Sequence, residues 1–297
     1  MLRRFADLVV ASDVALGDLP GAAGAPDITI RSGTRAAATW TPVQRWADDT
    51  GDWLTIERGT AEYRLRFPDL QCVVSADGSR IEYEAPPDLS QAELAHLLLH
   101  QVLPLAVSRR GRLVLHACAI ETSHGAIGLL GESGAGKSTL AAAFCASGCR
   151  LVADDALVID ISAAGADAWP TADGLRLWED MAATLPSGAA APGEAGRKRR
   201  VRAQLATAPS PLRRLLVVGD ASESGVSIDA LPASETRVAL LSHMFRLDIT
   251  DAADSRQSFD LVHALAERVP VRRLKFRDGV EFLEPTVRAI LRDLETP

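Results

Sequence analysis

Short apolar segments alternate with turn residues along the first hundred positions, a pattern typical of a small β-sheet. The segments with strand character span residues 27–31, 53–57, 61–67, 71–75 and 80–84. Asp77-Gly78 lies between the last two segments and predicts a hairpin turn. Ser90 then precedes an apolar segment with Glu93 in its first turn, which predicts the start of a helix running to about Val107.

A different pattern begins at residue 112, where longer apolar runs alternate with a helical segment. We predict strands at 113–120, 126–130, 150–153 and 212–219, and helices at 140–147, 255–268 and 287–294. Gly148 is expected to end the first of these helices. Residues 186–200 are rich in glycine, alanine and proline and end in basic residues, which predicts a mobile loop. The order of strand, helix and strand across 126–153 predicts a β-α-β unit.

The composition is that of an ordinary globular protein, with 297 residues, 24% charged residues and a net charge of -7. This acidic balance argues against nucleic-acid binding, which usually needs a basic surface. No apolar run reaches the roughly 18 residues of a membrane helix, so we expect no membrane partner. Asp7 and Asp13 interrupt the apolar stretch of a signal peptide, and the four cysteines are scattered. We therefore expect a reduced, cytoplasmic protein.

A phosphate-binding motif follows the second strand of this region. Residues 131–138 satisfy the pattern GxxxxGK[ST] and stand between an apolar strand and a helix, as the Walker A mechanism requires. Lys137 is expected to contact the β and γ phosphates of a bound nucleotide, and Ser138 to bind Mg²⁺. The predicted nucleotide-binding residues are Gly131, Glu132, Ser133, Gly134, Ala135, Gly136, Lys137, Ser138 and Thr139.

Two adjacent carboxylates, Asp154 and Asp155, end the strand that follows the Walker A helix. Ligands gather at the carboxyl ends of strands in open α/β sheets, so both are expected near the γ phosphate. Successive side chains at a strand end point in opposite directions. One aspartate can therefore face the metal and the other an incoming hydroxyl group. His116, in the predicted strand 113–120 before the strand that leads into the Walker A motif, is either a hydrogen-bonded core residue or a further member of the site.

Three segments in order resemble the catalytic core of HPr kinase/phosphorylase and its relatives: residues 115–117, 131–139 and 151–155. The resemblance implies an α/β fold of the HPr kinase and phosphoenolpyruvate carboxykinase type, and phosphorylation of a serine in a peptide or protein with ATP and Mg²⁺. It implies that one aspartate of the Asp154-Asp155 pair is the general base and favours Asp154, with Asp155 as an assisting or metal-binding residue and His116 beside the base. Under this interpretation the catalytic domain spans 109–297 and follows a small β-rich domain, 1–108, that ends in a helix.

The resemblance is specific over residues 112–160 and looser beyond them. The segment 173–179 lacks the glycine-rich signature associated with phosphorolysis, and the first hundred residues differ from the regulator domain of HPr kinases. The overall layout instead resembles HPr-kinase-like proteins encoded with peptide-maturation enzymes, some of which, including lasso peptide kinases, phosphorylate a precursor peptide. The resemblance also suggests a homo-oligomer.

Basic residues near such a site would assist recognition of an acceptor at a carboxyl terminus. The residues considered for acceptor binding are Arg176, Glu179, Lys198 and Arg199, with His243 and Arg246 as weaker candidates. Lys198 stands out because the chain has three lysines, Lys137, Lys198 and Lys275. Three alternatives to a peptide kinase remain open: an HPr kinase of carbon regulation, a small-molecule hydroxyl kinase, and a nucleotide-binding regulatory module without transfer chemistry.

Overall fold

The computed structural model describes residues 1–17, 19–33, 39–48, 51–171, 174–178, 198–201, 203–219, 221–222 and 225–295. Of Asp48, Trp178 and residues 198–200 it describes the backbone alone. The chain forms two compact units: Met1–Val114 with Phe245–Asp260, and Leu115–Met244 with Leu261–Pro297. The predicted division after residue 108 differs from this partition mainly in the segment 245–260.

The described elements are those of a mixed α/β protein. The strands of the first unit are β1 (Leu2–Phe5), β2 (Leu8–Ser12), β3 (Ile28–Ser32), β4 (Thr41–Asp48), β5 (Gly51–Arg58), β6 (Glu62–Phe67), β7 (Leu70–Ser75) and β8 (Arg80–Glu84). They form one sheet in the order β1-β2-β3-β8-β7-β6-β5-β4. The five predicted strands correspond to β3, β5, β6, β7 and β8, whereas β1, β2 and β4 were not predicted.

The predicted hairpin turn is present between β7 and β8. The Asp77 carboxylate accepts hydrogen bonds from Ser75 and Ser79, which lower its pKa to about 2. Gly78 has φ +69°, and a Cβ there would lie 2.1 Å from the carbonyl oxygen of Ala106. A side chain at this position would therefore be strained and would clash with the backbone, which explains why the turn has glycine.

The predicted helix at 90–107 is divided into three parts. It consists of α1 (Gln91–Leu97), a π-helical turn (Leu98–Val102) and α2 (Leu103–Arg109). The helix begins after Ser90 as predicted, and Ser90 and Glu93 form a capping box in which each side chain bonds the backbone N–H of the other. Pro104 lies in the first turn of α2 and has no N–H to continue the regular hydrogen-bond ladder, which is the physical reason for the irregular turn before it.

The segment 245–260 is held in the first unit by a buried carboxylate. Asp248 is 1% exposed and accepts hydrogen bonds from Arg58 Nη1 at 2.8 Å and from the hydroxyl of Tyr63 at 3.4 Å. Arg109 also pairs with Asp254. These ion pairs join residues that are 190 and 145 positions apart, so no local sequence pattern could predict that the segment packs with the N-terminal sheet.

The remaining elements belong to the second unit or lie at its limits. The strands are β9 (Leu113–Leu115), β10 (Ala117–Thr122), β11 (Gly125–Leu130), β12 (Arg150–Ala153), β13 (Leu157–Ser162), β14 (Gly165–Trp169), β15 (Leu175–Trp178), β16 (Lys198–Val201), β17 (Ser210–Val218), β18 (Ser227–Ala230) and β19 (Val271–Lys275). The helices are α3 (Lys137–Ala146), α4 (Ala233–Ser242), α5 (Ala252–Ala266) and α6 (Leu283–Glu295), with a short 3-10 helix at Val280–Phe282.

The second unit is built on a mixed sheet in the order β12-β10-β11-β17-β14-β13, with β19 beside β17 and β18 beside β19. β11, β17 and β19 run parallel, so their carboxyl ends lie at one edge. Helix α3 packs on this sheet through Leu140 and Phe144, both fully buried. The predicted β-α-β unit is therefore present, with β10 inserted between its two strands.

Two local predictions in this unit were wrong. The predicted strand 113–120 is interrupted at His116, because the N–H of His116 bonds the carbonyl of His243 at 2.6 Å while β10 pairs with β11 and β12. The basic end of the predicted loop 186–200 is β16, which pairs with β15. The rest of that loop, residues 186–197, lies outside the described part of the chain.

The cysteines and the helices bear on general properties of the chain. All four cysteines are free thiols, with Cys72 and Cys118 buried and Cys145 and Cys149 partly buried. Among the described helices, none combines the length and the apolar character needed to cross a lipid bilayer.

Candidate active site

The loop between β11 and α3 turns at the three glycines of the Walker A pattern. Gly131, Gly134 and Gly136 all have positive φ, at 152°, 86° and 85°. A Cβ on Gly131 would lie 3.1 Å from the carbonyl oxygen of Val218, so a side chain there would press on the backbone of the neighbouring strand. Gly136 is the N-cap of α3, and no side chain caps that helix. The first backbone N–H groups of α3 are therefore available to an anion.

Lys137 folds back over this loop. Its side chain is 6% exposed, and its Nζ donates to the carbonyls of Gly131 at 2.7 Å and Glu132 at 3.0 Å. A buried ammonium needs such partners, since burying a charge without them is costly. The two carbonyls thus hold the cation at the loop that the sequence assigns to phosphate.

Asp154 is the centre of a buried polar cluster below the loop. Its Oδ1 lies 3.2 Å from the hydroxyl of Ser138 and accepts from the thiol of Cys118 at 3.0 Å. Its Oδ2 accepts from the backbone N–H of Arg176 at 3.0 Å. Asp154 is 2% exposed, so β10, α3, β12 and β15 together enclose one carboxyl group.

This environment raises the pKa of Asp154 to about 7, chiefly through burial and secondly through the charge of Asp155. The hydrogen bonds from Cys118, Arg176 and Ser138 act in the opposite direction but are weaker. Burial and the same carboxylates also raise the pKa of the Cys118 thiol well above its ordinary value, so this thiol is a neutral donor. A carboxyl group with a pKa near neutrality can both accept and release a proton at physiological pH.

Asp155 differs from its neighbour in backbone and in exposure. It has φ +70°, which is rare for a residue other than glycine, and it is partly exposed. Strained backbone of this kind is found where the surrounding structure fixes a functional orientation. The two adjacent aspartates therefore occupy different environments, one enclosed beside Ser138 and the other nearer to solvent.

His116 and His243 are neighbours through their backbones. His116 is partly exposed and lies between β9 and β10, two residues before Cys118. His243 accepts the hydrogen bond from the His116 N–H with its carbonyl, and its ring Nδ1 lies 2.7 Å from the carbonyl of Ala239. Arg246, predicted as a weak member of the site, belongs to the first compact unit.

The residues considered for acceptor binding are only partly described. Arg176 contributes its backbone N–H to Asp154, a role that its side chain did not suggest. In the β15-β16 pair, Leu177 lies opposite Arg199 and Trp178 opposite Lys198. Lys198 and Arg199 therefore belong to the strand that pairs with the strand of Arg176. The side chains of Lys198 and Arg199, and the whole of Glu179, lie outside the described part of the chain.

A cavity of about 740 Å³ adjoins the phosphate loop on the side of β17 and β19. Residues 132–136 and Thr139 form one wall, and the ends of β17 and β19 with the following turns form the others. Sequence reasoning identified the loop wall but missed the opposite one and also missed Cys118. For Cys118 a signal existed, because it lies two residues after His116 and within residues 112–160, where the family resemblance is specific.

The donor atoms beside the loop suit Mg²⁺, which prefers hard oxygen ligands. The Ser138 hydroxyl and the Asp154 carboxylate are 3.2 Å apart, and Asp155 is the next residue. Among the described residues, no group of three or more His, Cys, Asp or Glu side chains forms a metal site by itself. Mg²⁺ in nucleotide sites is usually held by one or two protein oxygens together with substrate phosphates.

No protein-family model and no curated protein matches the chain. Among solved structures, the chain is similar to the HPr(Ser) kinase/phosphatase from Coxiella burnetii, with 12% sequence identity and a TM-score of 0.33. The match covers 61% of this chain and 92% of that one. The chain is thus a distant structural neighbour of that protein, and a likeness this weak assigns no function.

Proposed function

We propose that the chain is a phosphotransferase that uses ATP and Mg²⁺ to phosphorylate a serine hydroxyl of a peptide or protein. The observation that carries this proposal is the contact between Ser138 of the phosphate loop and the buried Asp154. A glycine-rich turn without a ligand has no need to enclose a carboxyl group, and enclosing one costs stability. Carboxyl groups whose pKa is strongly raised by burial and by a neighbouring charge are typical of active sites.

Each residue of the cluster has a chemical task in this proposal. The loop N–H groups and Lys137 bind phosphate oxygens, with Lys137 exchanging its carbonyl partners for the nucleotide. Ser138 and Asp155 are the residues that would hold Mg²⁺, whose charge would stabilise the phosphates when it is bound. His116 lies near the cluster in sequence and remains a candidate for tuning the charge of the base.

In this proposal Asp154 is the general base that accepts the proton of the acceptor hydroxyl. The serine oxygen forms a bond to the γ phosphorus, the bond from that phosphorus to the ADP oxygen breaks, and the serine proton passes to the Asp154 carboxylate. The pKa of about 7 suits this task, because a general base works best when its pKa is near the operating pH. Arg176 and Cys118 orient the carboxylate through their hydrogen bonds.

The choice of a peptide acceptor rests on the resemblance of residues 115–117, 131–139 and 151–155 to the HPr kinase family, and its restriction to a precursor peptide of lasso type rests on the layout of the whole chain. A direct test is to incubate the protein with ATP and Mg²⁺ and measure intact masses of a serine-terminated precursor peptide and of HPr, side by side.

We expect a gain of phosphate on the peptide alone. If HPr alone gains phosphate, the acceptor is HPr, a carbon-regulation substrate, and not a precursor peptide. If both acceptors stay unmodified while a small-molecule hydroxyl compound becomes phosphorylated, the peptide acceptor is wrong and the phosphotransferase assignment stands.

A further inference from the structure

Residues 152–156 form the turn that carries both aspartates, the aspartate turn, and its backbone is irregular at two points. Successive residues of β10 pair with Ala153 and then with Leu151, so Val152 is an extra residue in β12, a β-bulge. Asp155 follows with φ +70°. Bulges beside active sites redirect side chains, and a left-handed residue persists only where the surrounding structure fixes it. The places of the two carboxyl groups therefore depend on the contacts that hold this turn.

Thr171 holds the aspartate turn at both ends. Its backbone N–H donates to the carbonyl of Val152, at the bulge, at 2.9 Å, and its hydroxyl donates to the carbonyl of Ala156 at 2.6 Å. Thr171 is 3% exposed and Ala156 is 2% exposed, so both ends of the second bond are shielded from water. A buried carbonyl that loses its donor is unfavourable, so the turn would shift if the hydroxyl were removed.

The chain returns to the same turn five residues after Thr171. There the backbone N–H of Arg176 donates to Asp154 Oδ2 at 3.0 Å. Thr171 and Arg176 thus bond the aspartate turn at three points, which are Val152, Asp154 and Ala156. The two bonds of Thr171 go to the backbone on either side of the aspartates, so Thr171 acts on the carboxyl groups through their position.

We propose that Thr171 is a positioning residue for phosphoryl transfer, which fixes the backbone of the aspartate turn and thereby the places of Asp154 and Asp155 relative to the phosphate loop. This inference rests on the proposed function, because it takes Asp154 as the base. A displacement of about 1 Å in a reacting group can cost about 10²-fold in rate, so a shift of the turn is measurable. Nucleotide binding is expected to change little, since the loop and Lys137 hold the phosphates.

The test separates positioning from stability with matched variants. Thr171→Val removes the hydroxyl and keeps the branched shape, and Thr171→Ser restores a hydroxyl. The control is Thr286→Val in α6, because Thr286 is fully buried and its hydroxyl donates to the carbonyl of Phe282 at 2.7 Å. Both valine variants therefore lose a buried bond of the same kind. For each protein we measure melting temperatures with and without Mg²⁺ and ATP, and kcat and KM with the acceptor that the mass measurement identifies.

We expect both valine variants to melt at a lower temperature than the wild-type protein and to keep its stabilisation by Mg²⁺ and ATP. Thr171→Val should lower kcat by about 10–10²-fold and leave the KM values for ATP and acceptor within about twofold. Thr171→Ser should recover most of the lost kcat, and Thr286→Val should keep the wild-type kcat. If Thr171→Val also keeps it, or if Thr171→Ser recovers none of the loss, the inference is wrong while the proposed function stands.

Thr171→Cys keeps the test decisive if Thr171→Val does not fold. A thiol is a weaker donor than a hydroxyl, so this milder variant should lower kcat severalfold with unchanged KM values. A folded Thr171→Cys protein with the wild-type kcat would overturn the inference. If the wild-type protein transfers phosphate to none of the acceptors, the proposed function itself fails, and the role of Thr171 with it.

Discussion

Asp154→Asn should abolish phosphoryl transfer and at the same time make the folded protein more stable. Loss of a general base typically costs about 10²–10⁴-fold in rate, and asparagine cannot accept the acceptor proton. The amide nevertheless fits the site. Its oxygen can accept from the Arg176 N–H, and its NH₂ group can donate to the Ser138 hydroxyl and the Cys118 sulfur, so every present contact has a counterpart.

The gain in stability follows from the raised pKa of Asp154. The folded protein holds this proton up to about pH 7, whereas the unfolded chain releases it near the ordinary value of 3.8. Stability therefore falls as the pH rises between these two values and is constant above them. A pKa difference of about 3 corresponds to about 4 kcal/mol. This is an upper bound on the folding stability that Asp154→Asn can gain.

The measurement pairs a transfer assay with melting temperatures at several pH values. The advantage of Asp154→Asn over the wild-type protein should be small near pH 4 and should grow until about pH 7. Asp229→Asn, at an exposed position of β18, is the control and should change neither property. A variant that transfers phosphate at the wild-type rate would disprove the assignment of the base. A stability difference independent of pH would disprove the raised pKa.

Lys137→Met should remove nucleotide binding and reduce transfer by about 10²–10³-fold, the scale measured when one preorganised donor is lost from an active site. Methionine keeps the apolar stem of the side chain but lacks the ammonium group that contacts Gly131 and Glu132. The phosphates would then lie on a loop that lacks the ammonium group of Lys137. Unlike Asp154→Asn, this variant should fail before chemistry, at the binding step.

Thermal unfolding with and without Mg²⁺ and ATP separates these two defects. At about 100 times the dissociation constant, a ligand stabilises the folded state by about 2.7 kcal/mol. The wild-type protein and Asp154→Asn should both show this stabilisation, and Lys137→Met should not. Arg213→Met, which removes an exposed cation of β17, should behave like the wild-type protein. Full stabilisation of Lys137→Met by ATP would show that the nucleotide binds elsewhere.

The parts of the site that the sequence could predict are those encoded by contiguous residues. The loop from Gly131 to Ser138 has its conformation set by its own glycines, and Asp154-Asp155 follow one strand directly. The capping box at Ser90 and the turn at Gly78 are predictable for the same reason. Contiguous residues are therefore enough to predict these features.

The parts that escaped prediction depend on residues distant in the chain. Arg176 reaches Asp154 through its backbone, which no side-chain pattern reveals, and Cys118 does so because β10 lies between the two strands of the β-α-β unit. The break at His116 comes from pairing with His243, and the second wall of the cavity comes from β19. Each of these needs the sheet order, which hydrophobic patterns do not specify.

We propose that the γ phosphoryl group of ATP moves to a hydroxyl group at the site of Lys137, Ser138 and Asp154. Phosphorus-31 NMR of ATP, Mg²⁺ and protein with a serine-terminated peptide, HPr and a mixture of small-molecule hydroxyl compounds observes that group directly. We predict that the ATP signals give way to those of ADP and a phosphate monoester, and that Lys137→Met and Asp154→Asn leave the ATP signals unchanged. Persistence of ATP with every acceptor, or its conversion to ADP and inorganic phosphate alone, would contradict the claim.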